Sequence, residues 1–183
     1  MEVYSTEQSY VEALRILAEV FIKNVKTDSR QGGPLFGEID NVAVKSVFSE
    51  IETLLGYSKS LMEDLKEKME KWSENSSLGD VFVKLAPGFK IYTTYINTYQ
   101  ERMDALNNLL ATKPKFKKWV QDQHDNPIIA KKKLKLKDFL LTPVQRSKTV
   151  LYSFSTLFLS TSCFTQHFNL DMPAFSSQFI FMQ

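Results

Sequence analysis

The sequence predicts an all-α protein, a helical bundle, and three observations carry that expectation. Apolar residues recur at steps of three and four along most of the chain. Clusters of Gly, Pro and Asn interrupt that period at intervals suited to connections between helices. No segment alternates cleanly enough between apolar and polar residues to argue for a strand, so the elements must bury one another helix against helix. Val11, Leu14, Ala18, Phe21, Ile22 and Val25 share one face and place a first helix over residues 5–27, with Ser5 and Gln8 at the spacing of a capping box. Gly32, Gly33, Pro34 and Gly37 mark a loop. A second, longer helix is expected over 41–71, where Val44, Val47, Phe48, Ile51, Leu54, Leu55, Leu61, Met62, Leu65 and Met69 restore the period. Asn75 to Gly79 break the chain again. Val81, Phe82, Leu85, Phe89, Tyr92, Tyr95, Ile96, Tyr99, Met103 and Leu106 then continue at helical spacing, with a kink or short break at Pro87 and Gly88. Pro114 suits the first turn of a further helix carrying Phe116, Trp119 and Val120. Beyond it, Leu140, Leu141 and Val144 read as core by spacing, and Pro143 as a point where the last helix tightens or bends.

Composition bounds the function. A chain of 183 residues, 43% hydrophobic and 24% charged, has the make-up of one globular domain with a real core. A net charge of +2 predicts no strong attraction to nucleic acid, so any basic function must come from local clustering. Cys163 stands alone and cannot form an internal disulfide, and the N-terminus has no signal-peptide pattern; a reducing, cytoplasmic setting is the expectation. The sequence holds no phosphate-binding G-x-x-x-x-G-K-[ST] loop, no G-x-G-x-x-G and no G-x-S-x-G. His124 and His167 are the two histidines; His167 follows Cys163 by four residues, and two candidate ligands do not make a metal site. No cofactor and no covalent chemistry are expected, since a nucleophile with its base is not in view.

Two local patterns admit more than one reading. The run KKKLKLK places Lys131, Lys132, Lys133, Lys135 and Lys137 together, either for contact with anionic membrane or an acidic partner, or as a solvated loop before a helix. Tyr92, Tyr95 and Tyr99 could stack on bases or a ligand, but their steps of three and four place them in a half-buried core.

Three stretches in order resemble one known family. TEQSYVEALRIL (6–17), FSEIETLLGYSKSLMEDLKEKM (48–69) and LKLKDFLLTPVQR (134–146) are similar to the three conserved regions of the Dbl homology domain of Rho-family guanine nucleotide exchange factors. GDVFVKLAPGFKIYTTYINTY (79–99) is similar to its connecting helices, and together the likeness covers about residues 1–146. The resemblance implies an elongated helical bundle, incomplete at its C-terminal end, that binds a Rho-type small GTPase, nucleotide-free or GDP-bound, reshapes its switch regions and promotes GDP release without covalent chemistry. It also implies that Glu7 engages the first switch from the first turn of helix one, and that Thr142, Gln145 and Arg146 are further GTPase-contacting positions.

At Ser147 the composition changes. Residues 147–183 mix Phe with Ser and Thr at no sustained period, with Lys148 and Asp171 as the only formal charges, where the family continues with a Leu-rich amphipathic helix. The apolar part, 150–164, is too short and hydroxyl-rich for a span of about 20 residues. The expectation is an incomplete exchange domain, 1–146, followed by a divergent tail of unknown structure, an alternative or erroneous C-terminus; exchange factor activity is the expected function, with inactivity through truncation as the competing outcome. Two other classes stay open: a helical module that binds a GTPase without accelerating release, and a peripheral membrane protein using the basic run and the Phe-rich tail.

Overall fold

The computed structural model describes residues 2–73, 76, 78–85 and 88–159, the last of these stretches as backbone alone beyond Ser147. Cys163, His167 and the rest of the Ser/Phe-rich tail from 160 onward lie outside the described residues. The chain divides into two units, Met1–Thr149 and Val150–Gln183, and the account below concerns the first. Its fold is all-α, with no strand among the described residues.

Helix α1, Glu2–Ile16, passes into a π-helical segment, Leu17–Ile22, and on into α2, Lys23–Asp28. The wider π turn brings Leu17, Val20, Phe21 and Ile22 all into the core, more apolar side chains in six residues than a plain α-helix could turn to one face. The expected capping box does not form, because the helix already runs from Glu2; Ser5 instead lends its carbonyl to the Ser9 hydroxyl at 3.1 Å. A loop follows in which Gly32 (φ 85°) and Gly37 (φ 73°) take left-handed backbone, while Leu35 and Ile39 plug inward.

The long second helix of the sequence reading is two helices, α3 (Asn41–Phe48) and α4 (Ile51–Glu70). Asp40 caps α3 by accepting from the Ala43 amide at 2.7 Å, and the break falls at Glu50, whose φ is 65°. Nothing in the apolar period announces this break, because a side chain far along the sequence repairs it. Helix α5 spans Gly79–Leu85, α6 Phe89–Asn97 and α7 Tyr99–Thr112. From α7, Arg102 reaches back to donate to the carbonyls of Val47 (2.8 Å) and Ser49 (3.2 Å) and to Glu50 Oε2 (2.7 Å), with its guanidinium 4.4 Å from the Tyr95 ring centre. It is 2% exposed. The carbonyls orphaned where α3 ends are therefore satisfied by a buried cation.

Helix α8, Pro114–His124, begins on the proline as expected, and Trp119 Nε1 donates to Asp28 Oδ2 at 2.7 Å, tying α8 to the end of α2. The short α9, Pro127–Lys132, lies where the sequence reading placed no helix; Asn126 caps it by accepting from the Ile128 amide at 3.0 Å. Helix α10 spans Leu136–Leu159 and runs on through the change of composition at Ser147. A core cluster drawn from α1 to α10 fills the centre, including Leu14, Leu17, Phe21, Leu54, Tyr95, Leu106, Phe116, Phe139 and Leu140; Leu61, Leu65 and Val81 form a smaller cluster of their own.

Arg102→Met removes the donors for two carbonyls and the partner of Glu50 while keeping most of the volume. It should cost on the order of 3 kcal/mol of stability, read as a lower urea midpoint at unchanged slope.

Candidate functional site

Polar residues brought together from four helices form the feature that sets this core apart. Glu7 lies in the second turn of α1, not the first, and its side chain is 1% exposed. Arg146 of α10, 8% exposed, places both Nε (3.0 Å) and Nη2 (2.5 Å) on the same oxygen, Glu7 Oε2. Glu7 Oε1 is buried with no hydrogen-bond partner. Beside the pair, Tyr10 and Tyr92 set their ring centres 6.5 Å apart, and the Tyr92 hydroxyl lies 3.4 Å from Ser58 Oγ of α4. Burial first, and the neighbouring Tyr92 second, push the Tyr10 phenol well above its ordinary value, and burial also raises Tyr92. Both tyrosines are therefore neutral donors, and the Tyr10 hydroxyl makes no hydrogen bond of good geometry. The site is thus one fixed carboxylate, with one oxygen clamped and the other buried without a donor.

The other positions singled out in the sequence fare differently. Pro143 has no amide to offer the carbonyl of Phe139 four residues back, and the Thr142 hydroxyl donates to that carbonyl at 2.7 Å. One residue on, the Tyr95 hydroxyl donates to the Leu140 carbonyl at 2.7 Å. Thr142 is half-buried and its hydroxyl is turned to its own helix; Gln145 is exposed on α10. Arg146 faces Glu7 inside the fold. Leu140 and Val144 are core as expected, Leu141 is half-buried, and Tyr95 is fully buried while Tyr92 and Tyr99 are partly so. The sequence reading missed Tyr10, Tyr92 and Ser58 as neighbours of Glu7, for which no local pattern gives a signal. It also missed α9, for which the Asn126-Pro127 pair was a usable start signal.

The basic run is divided. Lys131 and Lys132 end α9, Lys133 takes a left-handed conformation (φ 54°), and Lys135 precedes α10; all are exposed. Lys137 reaches Asn107 Oδ1 at 2.6 Å. The start of α10 is capped twice, by Asp138 accepting from the Lys135 amide (2.8 Å) and by His124 Nε2 accepting from the Leu136 amide (3.1 Å). Burial first, then Lys135, lower the His124 pKa from its ordinary 6.5. Among the described residues no group of three or more His, Cys, Asp or Glu could hold a metal, and no helix is long and apolar enough to cross a membrane.

With this geometry in view, the comparisons are specific. The RhoGEF domain family model matches residues 1–162. Human FYVE, RhoGEF and PH domain-containing protein 6 is 32% identical over 146 residues, 79% of this chain and 10% of that protein. The kinase and exchange factor for Rac B of Dictyostelium discoideum is 32% identical over 124 residues, 67% of this chain and 11% of that protein. In structure, the fold is similar to that of the Vav1 exchange factor with its PH and C1 domains, with a TM-score of 0.71 at 19% identity, covering 88% of this chain and 40% of that one. It is similar as well to the DH/PH domains of p115-RhoGEF, with a TM-score of 0.70 at 21% identity, covering 85% of this chain and 45% of that one. The chain belongs to the RhoGEF, or Dbl homology, domain family, and it spans about a tenth of the length of these two curated relatives.

Two outcomes follow from the geometry. Glu7→Ala and Arg146→Met should each cost about 3–5 kcal/mol by leaving a buried charge unpaired, and the double variant should cost less than their sum, measured by urea unfolding. Because the His124 pKa is depressed in the folded state, its stabilising share is present above about pH 6.5 and is lost as pH falls below that, when the unfolded chain takes up the proton first. Protonation also removes the acceptor for Leu136 and sets a cation at a helix N-terminus. His124→Gln should flatten the loss of thermal stability between pH 7 and pH 5.

Proposed function

We propose that this chain acts as a guanine nucleotide exchange domain for a Rho-family small GTPase, raising the rate of GDP release. The single observation that carries the reading is the Glu7 carboxylate. It is fixed through Oε2 by Arg146 and leaves Oε1 without a donor, at the position that the family resemblance assigns to contact with the first switch. In this reading Glu7 is the contact and Arg146 a positioning residue that sets the angle of the carboxylate. Thr142 supports the helix at Pro143, and Gln145, exposed on α10, is the further candidate for contact.

The physical basis is linkage between two ligands of one GTPase. A domain that binds the nucleotide-free form more tightly than the GDP form weakens nucleotide binding by that same factor. No bond in the nucleotide is made or broken, and the work is done by the difference in binding alone. The lone Cys163 and the family's signalling role fit a cytoplasmic setting.

A second reading draws on the depth of the same residue. With Glu7 only 1% exposed, the domain could hold a GTPase through its surface without presenting the carboxylate, binding without accelerating release. The two readings part on one measurement: release of a fluorescent GDP analogue from a panel of Rho-type GTPases, with binding followed in parallel. The exchange reading expects acceleration that falls at least tenfold in Glu7→Gln, which keeps the volume but removes the charge, with partial retention in Arg146→Lys. Complex formation by the folded parent chain with no change in GDP release on any GTPase would establish the binding module instead.

A further inference from the structure

The segment from Pro127 to Lys137 is held rigidly from below and left bare above. Ile129 (1% exposed) and Leu136 (2%) are its inward anchors, and the caps from Asn126, His124 and Asp138 fix the backbone between them. Outward it presents Ile128, 52% exposed, and Leu134, 37% exposed, interleaved with the exposed Lys131, Lys132, Lys133, Lys135 and Lys137. Among the described residues these lysines form no ion pair with a carboxylate; Lys137 donates to Asn107 Oδ1, and the nearby Asp138 is engaged by the Lys135 amide.

From this arrangement we propose that the α9–α10 corner is a docking surface for an anionic lipid bilayer, entered by Ile128 and Leu134 and held by the five lysines. Charge complementarity gives the first argument, since five exposed cations with no ion-pair partner among the described residues favour a negatively charged surface. The kind of cation gives the second. From Lys113 to Lys137 the permanently charged cations are all lysines and none is an arginine. Lysine is a flexible point charge whose stem can lie along apolar surface with its ammonium among headgroups. A protein partner read through fixed carboxylates favours the planar fork of arginine. The apolar pair supplies the third argument: two exposed aliphatic side chains among cations match the interface between headgroups and acyl chains, where burial of the aliphatic part and attraction of the charge add. This surface is independent of exchange activity and of the Glu7 site.

The test uses the full chain in flotation with phosphatidylcholine vesicles, with and without phosphatidylserine. Flotation with the phosphatidylserine vesicles alone, released by raising salt, is expected. Lys131→Glu, Lys132→Glu and Lys133→Glu together should weaken it on the order of a hundredfold, taking each lysine at roughly a factor of ten or less. Ile128→Ser with Leu134→Ser should weaken it by a smaller factor that persists at high salt. All five positions are exposed, and an unchanged helical circular dichroism signal confirms the fold of each variant. Equal flotation with neutral vesicles, or binding that survives both sets of substitutions, would overturn the assignment. Failure to float together with retention on a polyglutamate matrix would overturn it in favour of an acidic protein partner.

Discussion

The contact between Glu7 and Arg146 joins residues 139 positions apart in sequence, and the placement of the first and last described helices depends on it. A carboxylate and a guanidinium taken out of water each lose hydration worth far more than their attraction at the protein surface, so neither is tolerable in that position alone. Together they fix one geometry, because both nitrogens of the guanidinium edge converge on one oxygen. Such a contact forms only if α1 and α10 arrive at the right rotation. On α1 that rotation is continuous with the π turn at Leu17–Ile22, which changes the phase of the apolar face just beyond the site. On α10 it is fixed by the way the helix passes Pro143, with Thr142 and Tyr95 donating to consecutive carbonyls.

The same logic recurs wherever a helix is interrupted. At the end of α3 the carbonyls of Val47 and Ser49 go to Arg102, and at the start of α10 the Leu136 amide goes to His124. In each case a side chain from another helix completes a hydrogen-bond ladder that the local sequence leaves open. The breaks are therefore points of tertiary specificity as well as ends of elements. A bundle held only by Leu and Val could slide or rotate at modest cost, whereas these directional contacts define one register.

Legibility in the sequence followed from how local each signal is. The apolar period of α4 and the proline opening α8 are written in adjacent residues, and they were readable for that reason; the break read at Pro87 lies outside the described residues. The division of α3 from α4 was not, since Val47, Phe48, Ile51 and Leu54 keep helical spacing straight across Glu50, and the residue that permits its left-handed backbone sits on α7. At the site, Glu7 and Arg146 could each be singled out through the family resemblance, but their pairing could not, because nothing near either residue refers to the other. Thr142 shows the converse. Its position matched a family contact, while its chemistry, a hydroxyl one residue before a proline, already allowed the role of repairing the carbonyl that the proline leaves free. The change of composition at Ser147 left the structure of the following segment unread, and α10 continues to Leu159, since Ser, Thr and Phe at modest propensity can follow a helix already nucleated by its capped first turn.

Burial of the Glu7 carboxylate bears directly on how an exchange domain would use it. If opening the pair to a partner costs about 3 kcal/mol, the open form is below one per cent of the population, and a partner must return at least that much in new hydrogen bonds to engage it. A ligand with equal affinity for the open and closed forms gains nothing from the carboxylate. The free Oε1 offers a less costly route: a donor that approaches this oxygen can bind while Arg146 keeps Oε2, so the ion pair need not break and only the cover over Oε1 must shift. The clamp then raises the precision of the contact, because a carboxylate already held on one side loses little freedom when its other oxygen accepts a partner's donor. On the exchange reading, the asymmetry of the pair, with two bonds on one oxygen and none on the other, is thus what lets one carboxylate serve both the stability of the fold and the recognition of a partner.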